Sequence, residues 1–260
     1  AGERTALSHR PRRSRRPSAP WSGGGDLSDG SHHRPVKSSA YHLKARLVAC
    51  GYSQVYGKDY VHTFSATLRA TSFRLFLAVA AGRKLFVDQF DVTAAFTQAD
   101  IDAEIYVEAP RGFETKGKDG KVQVLRLKKA LYGTKQASIW QDTLAKFLQD
   151  DLKFVRSTTD PCLFRHESKE HGTILLGIYV DDIIVAHNHI GFEWFSTQFC
   201  KRFRAKHLGP LDWFLGIAVD QDDRYKVTIS QDQYIKNMVT RYCAGGHRVK
   251  RIDPQSQKFA

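Results

Sequence analysis

The feature that most restricts this chain is a pair of adjacent carboxylates inside an apolar stretch. The run Thr173 to Tyr179 leads into Val180-Asp181-Asp182, and Ile183 to Ala186 resumes it. Short apolar runs of this kind read as strands, so the two acids fall at the tip of a hairpin. Two carboxylates about 4 Å apart repel by roughly 4 kcal/mol at an effective dielectric near 20, which makes the arrangement reasonable when a proton or cation occupies the site. Aspartate is also common in turns, and a plain Asp-Asp turn is the alternative.

A third acid, Asp91, closes the apolar run from Leu85 to Phe90 and is followed by a short helical stretch, Ala94 to Gln98. A strand ending in an acid and a hairpin carrying two would, side by side, pool three carboxylates. Such a donor set suits Mg2+, a hard cation that prefers oxygen ligands.

Around these segments the sequence predicts a strand at Leu43 to Val48, with Lys44 and Arg46 on one face, and a helix from Thr71 or Ser72 to Ala81. Short strands follow at Glu104 to Glu108 and Lys121 to Leu127, and a helix at Gln136 to Leu152. A helix at Phe192 to Phe203, a hairpin of Trp213 to Asp220 with Tyr225 to Ile229, and a helix at Gln231 to Tyr242 opened by a Ser230/Gln233 capping box complete the reading. The expected class is α+β, with helices on one face of an antiparallel sheet.

Residues 1–40 hold four prolines, eight serines and five glycines, too little apolar surface to offset the entropy of ordering, and read as a disordered basic tail. The folded segment spans 41–242, and residues 243–260 read as a flexible tail. The chain opens with Ala1 and its one methionine is Met238, so it reads as a fragment.

Charge adds a partner class. The chain carries 40 Lys+Arg against 27 Asp+Glu, a net +13; the tail contributes eight basic and three acidic residues, leaving about +8 on the folded part. That excess points to a polyanion, nucleic acid first. Cys50, Cys162, Cys200 and Cys243 form no Cys-x-x-Cys pair, which argues against a zinc site or a disulfide scaffold. No apolar run is long enough for a membrane span and no signal pattern opens the chain, so an intracellular protein, in a cytoplasmic particle or the nucleus, is expected. His187 and His189 read as polar surface at a strand end rather than as metal ligands.

Several segments together resemble copia-type retrotransposon reverse transcriptases: Asp91-Val92-x-x-Ala95-Phe96, Leu131-Tyr132-Gly133-x-Lys135-Gln136-Ala137, Asp160-Pro161-Cys162-Leu163-Phe164, Tyr179-Val180-Asp181-Asp182 and Leu215-Gly216-Ile217. Lys44 to Ala49 and Gly51-Tyr52-Ser53-Gln54 extend the match upstream. The resemblance implies a right-hand polymerase palm of ferredoxin-like topology, partial fingers and the start of a thumb. It implies an RNA-directed DNA polymerase that adds deoxynucleotides to a primer 3′ hydroxyl, with Asp91, Asp181 and Asp182 binding two Mg2+ ions, or Mn2+ in their place. Lys44, Arg46, Phe96, Gly133, Lys135 and Gln136 would bind the nucleotide, Phe96 excluding a 2′ hydroxyl and Gly133 letting backbone approach the substrate. Trp213, Leu215 and Gly216 would hold the primer, and RNA template, DNA primer and deoxynucleoside triphosphates would be the partners.

The chain departs from the family pattern at Cys50, where lysine is usual, at Thr97 and Thr134, where leucine is, and at Ser138, where proline is. The usual fingers segment before Lys44 is replaced by the low-complexity tail. These departures frame the alternative, a decayed fragment that retains only nucleic-acid binding.

Overall fold

The structure, a computed structural model, describes residues 47–61, 63 and 65–243. The basic tail, Lys44, Arg46, most of the strand expected before Ala49 and the tail after Cys243 lie outside the described residues. The described residues divide into two compact units: 47–63 with Ala99–Trp140, and 65–98 with 141–243.

In chain order the regular elements begin with α1 (Ala70–Gly82), β1 (Phe86–Val92), β2 (Tyr106–Glu108), β3 (Val124–Arg126) and α2 (Ala137–Lys146). Then come β4 (Val155–Arg156), β5 (Leu163–Ser168), β6 (Gly172–Tyr179), β7 (Asp182–His187) and α3 (His189–Arg202). The last are β8 (Ala205–Pro210), β9 (Trp213–Phe214), β10 (Ile217–Gln221), β11 (Val227–Ser230) and α4 (Asp232–Cys243).

The second unit is built on a six-stranded sheet of order β4-β5-β6-β7-β1-β8, and every pairing in it is antiparallel. Side chains alternate across a strand, so Phe90, Ile183 and Val185 share one face while Val87, Ile184 and Ala186 share the other. On the first face Phe90 packs on Phe192, Phe195 and Phe199 of α3, with ring centroids 5.9, 6.0 and 5.7 Å away. On the second, Val87, Ile184 and Ala186 join Phe73, Phe76, Leu77 and Ala80 of α1. Helices therefore cover both faces, not one as the sequence suggested. The signal was present in β7: residues 183 to 187 are all buried, and a strand buried on both faces shows an unbroken apolar run instead of alternation.

The N-terminus of α1 has no side-chain cap of its own. Asp160 supplies one from a distant loop, Oδ2 accepting from the Arg69 amide at 3.3 Å while Oδ1 accepts from the Cys162 amide at 3.0 Å. Burial alone would raise its pKa, but hydrogen bonds from Ser72, Cys162 and Arg69 hold this carboxyl below its ordinary range.

Three strands go beyond the sequence reading, the two-residue β4 among them. β5 mixes Phe164 with Arg165 and Glu167, and β8 is an exposed edge bearing Gly209 and Pro210, so neither shows an apolar pattern. The strand expected from Trp213 to Asp220 is broken at Leu215 and Gly216, whose φ values of 51° and 81° turn β9 back onto β10. A three-stranded sheet, β11-β10-β9, results. The regular part of α2 ends at Lys146 and continues as a π-turn over Phe147–Asp151. The expected capping box is not formed: Ser230 Oγ accepts from the Asp232 amide at 3.1 Å instead of from that of Gln233, and the Gln233 side-chain amide donates to Asn237.

The first unit pairs β2 with β3 and gathers Ala49, Ile105 and Val107 with Ile101, Ala103, Leu127 and Leu131 into a small core.

Candidate active site

β6 and β7 are joined by a two-residue turn, Val180-Asp181, closed by the pair Tyr179 and Asp182. Val180 sits at φ 60°, the left-handed region that a two-residue hairpin needs and that a β-branched residue seldom occupies. Such strain persists where the surroundings hold it, and here the Val92 amide donates to the Asp181 carbonyl at 2.8 Å, tying the turn to the end of β1.

The register of β1 on β7 sets Asp91 opposite Asp182. Asp91, Asp181 and Asp182 are therefore brought together from segments ninety residues apart, and all three are half-buried. Burial raises the pKa of Asp182, and the charges of Asp181 and Asp91 raise it further against one lowering contact, a 3.3 Å hydrogen bond from Gln89 Nε2 to Asp182 Oδ1. Lys206 of β8 is the register partner of Asp91, yet among the described residues none of the three acids is in an ion pair within 4.0 Å.

The chemistry of the donor set fits a divalent cation: oxygen ligands and mutual repulsion, with no neutralising side chain among the described residues. Among the described residues no group of three His, Cys, Asp or Glu side chains is arranged so that it would hold a metal ion by itself.

The exit of β1 is held by Gln98. Its Nε2 donates to the carbonyls of Thr93 at 2.8 Å and Arg204 at 3.1 Å, and its Oε1 accepts from the Arg204 amide at 2.8 Å. This clamp fixes the 3-10 turn Ala95–Gln98, which carries the half-buried Phe96 five residues after Asp91. On the β9-β10 hairpin, Phe214 is buried against Phe73 and Tyr179, with centroids 5.0 and 6.4 Å away, while Trp213 and Leu215 at the tip stay exposed. Through Tyr179 that tip is connected to the acid turn.

Gly133, Lys135 and Gln136 lie together in the first unit. The close approach Gly133 permits there is to protein backbone: a Cβ on it would meet the Ala49 carbonyl oxygen at 2.1 Å, and one on Gly51 would meet the Gly133 carbonyl oxygen at 2.1 Å. The two glycines let the segments lie against each other, joined by hydrogen bonds from Ala49 to Tyr132 and from Gly51 to Gly133. Gln54 links them further, donating to Gln136 Oε1 at 3.0 Å and accepting from the Lys135 amide at 2.6 Å, while Gln136 Nε2 donates to the Asp59 carbonyl.

Sequence reasoning missed a second carboxylate centre on the other face of β1. Asp88 takes His187 Nε2 at 2.5 Å on one oxygen and His207 Nε2 at 3.0 Å on the other. Burial would raise its pKa, but these hydrogen bonds and the charge of the two imidazoles lower it. His187 is thus buried and structural, a correction to its expected surface position, while His189 is exposed and packs on Phe86. Gln89 was also missed, although its place two residues before Asp91 puts both on one face.

The fold is thus a mixed α/β chain on antiparallel sheets with Asp91 opposite Asp182 beside a hairpin turn, which leaves the class of protein open. Comparison with known families narrows this: the profile described as "Reverse transcriptase (RNA-dependent DNA polymerase)" matches residues 32–252, and the chain belongs to that family, in its copia-type branch. It is 36% identical over 220 residues to the retrovirus-related Pol polyprotein from transposon TNT 1-94 of Nicotiana tabacum, covering 84% of this chain and 16% of that protein. Against the Pol polyproteins from transposons RE2 and RE1 of Arabidopsis thaliana the identity is again 36%, over 82% of this chain and 14% of each relative. The chain thus spans about a sixth or less of the length of each of these three relatives. Among the described residues no helix is long and apolar enough to cross a membrane.

Proposed function

We propose that this chain is the nucleotidyl-transferring part of a copia-type RNA-directed DNA polymerase, acting on an RNA template, a DNA primer and deoxynucleoside triphosphates. In this reading the six-stranded sheet is the palm, the first unit belongs to the fingers, and β9 to β11 with α4 begin the thumb.

The observation that carries the proposal is the register of Asp91 on Asp182 beside the strained Val180-Asp181 turn, an acid cluster with no ion-pair partner among the described residues, in a member of this family. Asp91 and Asp181 would hold two Mg2+ ions, or Mn2+ in their place, with Asp182 as a further ligand. When bound, the ions would lower the pKa of the primer 3′ hydroxyl and offset the charge of the triphosphate. Phe96, fixed by the Gln98 clamp, would lie under the sugar and exclude a 2′ hydroxyl. Trp213, Leu215 and Gly216 would hold the primer end. Lys44, Arg46 and Lys135 would supply cationic contacts to the nucleotide, Lys135 within a segment that Gly133 and Gln136 brace. Template and primer would be gripped mainly through phosphates, in keeping with the basic excess of the chain. A decayed fragment is not favoured, since all three acids are present and gathered.

Primer extension on an RNA template with Mg2+ tests this. Asp181→Asn is expected to lower extension by about three orders of magnitude while template-primer binding persists. Equal extension by both proteins would overturn the proposal.

A further inference from the structure

Gln89 is a buried polar side chain in the middle of β1, 7% exposed, two residues before Asp91 and on the same face. A buried amide needs partners, and its Nε2 donates to Asp182 Oδ1 at 3.3 Å. In the β1-β7 register Gln89 faces Ile184, so Gln89, Asp91, Ile184 and Asp182 form one rectangular patch with the amide diagonal to the carboxylate it contacts.

Beside this patch the sheet is irregular. The pairing of β1 with β8 shifts between Gln89 and Phe90: Gln89 faces Gly209, Phe90 faces His207, and Leu208 is left over. Gly209 has φ 97° and Leu208 is 48% exposed, as expected of an extra residue at a bulge. A bulge re-aims the residues at its mouth, and the two placed there are the amide next to the acids and the phenylalanine that anchors α3.

We propose that Gln89 is a positioning residue for the acid centre: its amide takes one carboxylate oxygen of Asp182, fixes the plane of that carboxylate and turns the other oxygen toward a divalent cation shared with Asp91 and Asp181. An amide suits the task better than a cation or an acid. Lysine would neutralise Asp182 and compete with the metal, whereas glutamate would add a fourth negative charge to a group already carrying three. Partners of this kind orient metal ligands, and their loss typically weakens metal binding about 10- to 100-fold.

The inference rests on the divalent-cation reading of the three acids, and its test separates the two. Free Mn2+ is measured by electron paramagnetic resonance during titration of the full chain and of Gln89→Met, which keeps the length but removes the donor, with thermal unfolding as the check on folding. Mn2+ binding is expected to weaken about tenfold in Gln89→Met. In an Asp182→Asn background the same change is expected to have no further effect, because its only route is through that carboxylate; general damage to the sheet would weaken binding in both backgrounds. The Mg2+ concentration for half-maximal extension should rise by a similar factor, while the rate at saturating metal stays within about threefold. Should Gln89→Met not fold, Gln89→Asn, whose amide is too short to reach, is expected to weaken binding in the same direction. Unchanged Mn2+ affinity, or an equal loss with and without Asp182, would overturn the role of Gln89 alone. Wild-type protein that binds no Mn2+ would overturn the cation reading with it.

Discussion

β1 carries an acid centre on each face, and the two are treated in opposite ways. Toward α3, Asp88 is held between His187 and His207, and its carboxyl is shifted below the ordinary range. On the other face, three residues along, Asp91 faces Asp182 beside Asp181, among the described residues no cation pairs with them, and the Asp182 carboxyl is shifted above it. The same strands supply both centres, so the difference lies in the neighbours. Where the protein provides imidazoles, an acid ties three strands together. Where it provides two further acids and the single amide of Gln89, the carboxylates repel one another and no ion pair among the described residues offsets them.

The sharpest way to break this contrast is to remove the acid that the protein satisfies. Asp88→Ala strands His187, which is 2% exposed and whose Nδ1 lies 3.0 Å from the Asn188 carbonyl at the start of α3. Leaving one member of a buried pair alone costs about 3 kcal/mol, so this variant should unfold at markedly lower denaturant. A loss under about 0.5 kcal/mol would show that the pair does not hold the strands together.

A smaller effect sharpens the contrast through pH. The native pKa of Asp88 is depressed, so its contribution is fully present above its unfolded value near 3.8 and is lost as pH falls through the lower native value. That of Asp182 is raised, so its ionised form opposes folding at neutral pH, and this opposition fades as pH falls through the raised value. Thermal unfolding followed from about pH 6 to pH 2 should therefore lose stability on the most acidic limb in wild type and lose less of it there in Asp88→Asn. Parallel curves for the two proteins would remove Asp88 from that limb.

Much of the site was legible in the sequence, because it lies where hydrophobic patterning is interrupted: acids beside long apolar runs, at Asp91 and at Asp181-Asp182. The hairpin, α1, α3 and α4 followed from periodicity for the same reason. What was hidden depends on pairing between distant segments. Gln98 reaches Arg204, Asp160 reaches the start of α1, and Gly51 lies against Gly133, none of which a local pattern encodes. His187 shows the limit most clearly. Read locally it is a polar residue ending a strand, and only the register that brings Asp88 and His207 to it makes a buried imidazole tolerable. The break at Leu215-Gly216 was masked because the residues on either side are all apolar.

In the proposed function Asp91, Asp181 and Asp182 form an acid cluster whose repulsion a divalent cation relieves. Thermal unfolding of the wild-type chain and of Asp182→Asn, each with and without millimolar Mg2+, tests it most directly. Mg2+ is expected to raise the midpoint of the wild type, Asp182→Asn without metal to be at least as stable as the metal-free wild type, and the variant to respond little to Mg2+. A wild-type midpoint indifferent to Mg2+, with a variant less stable than it, would overturn the proposed cation site.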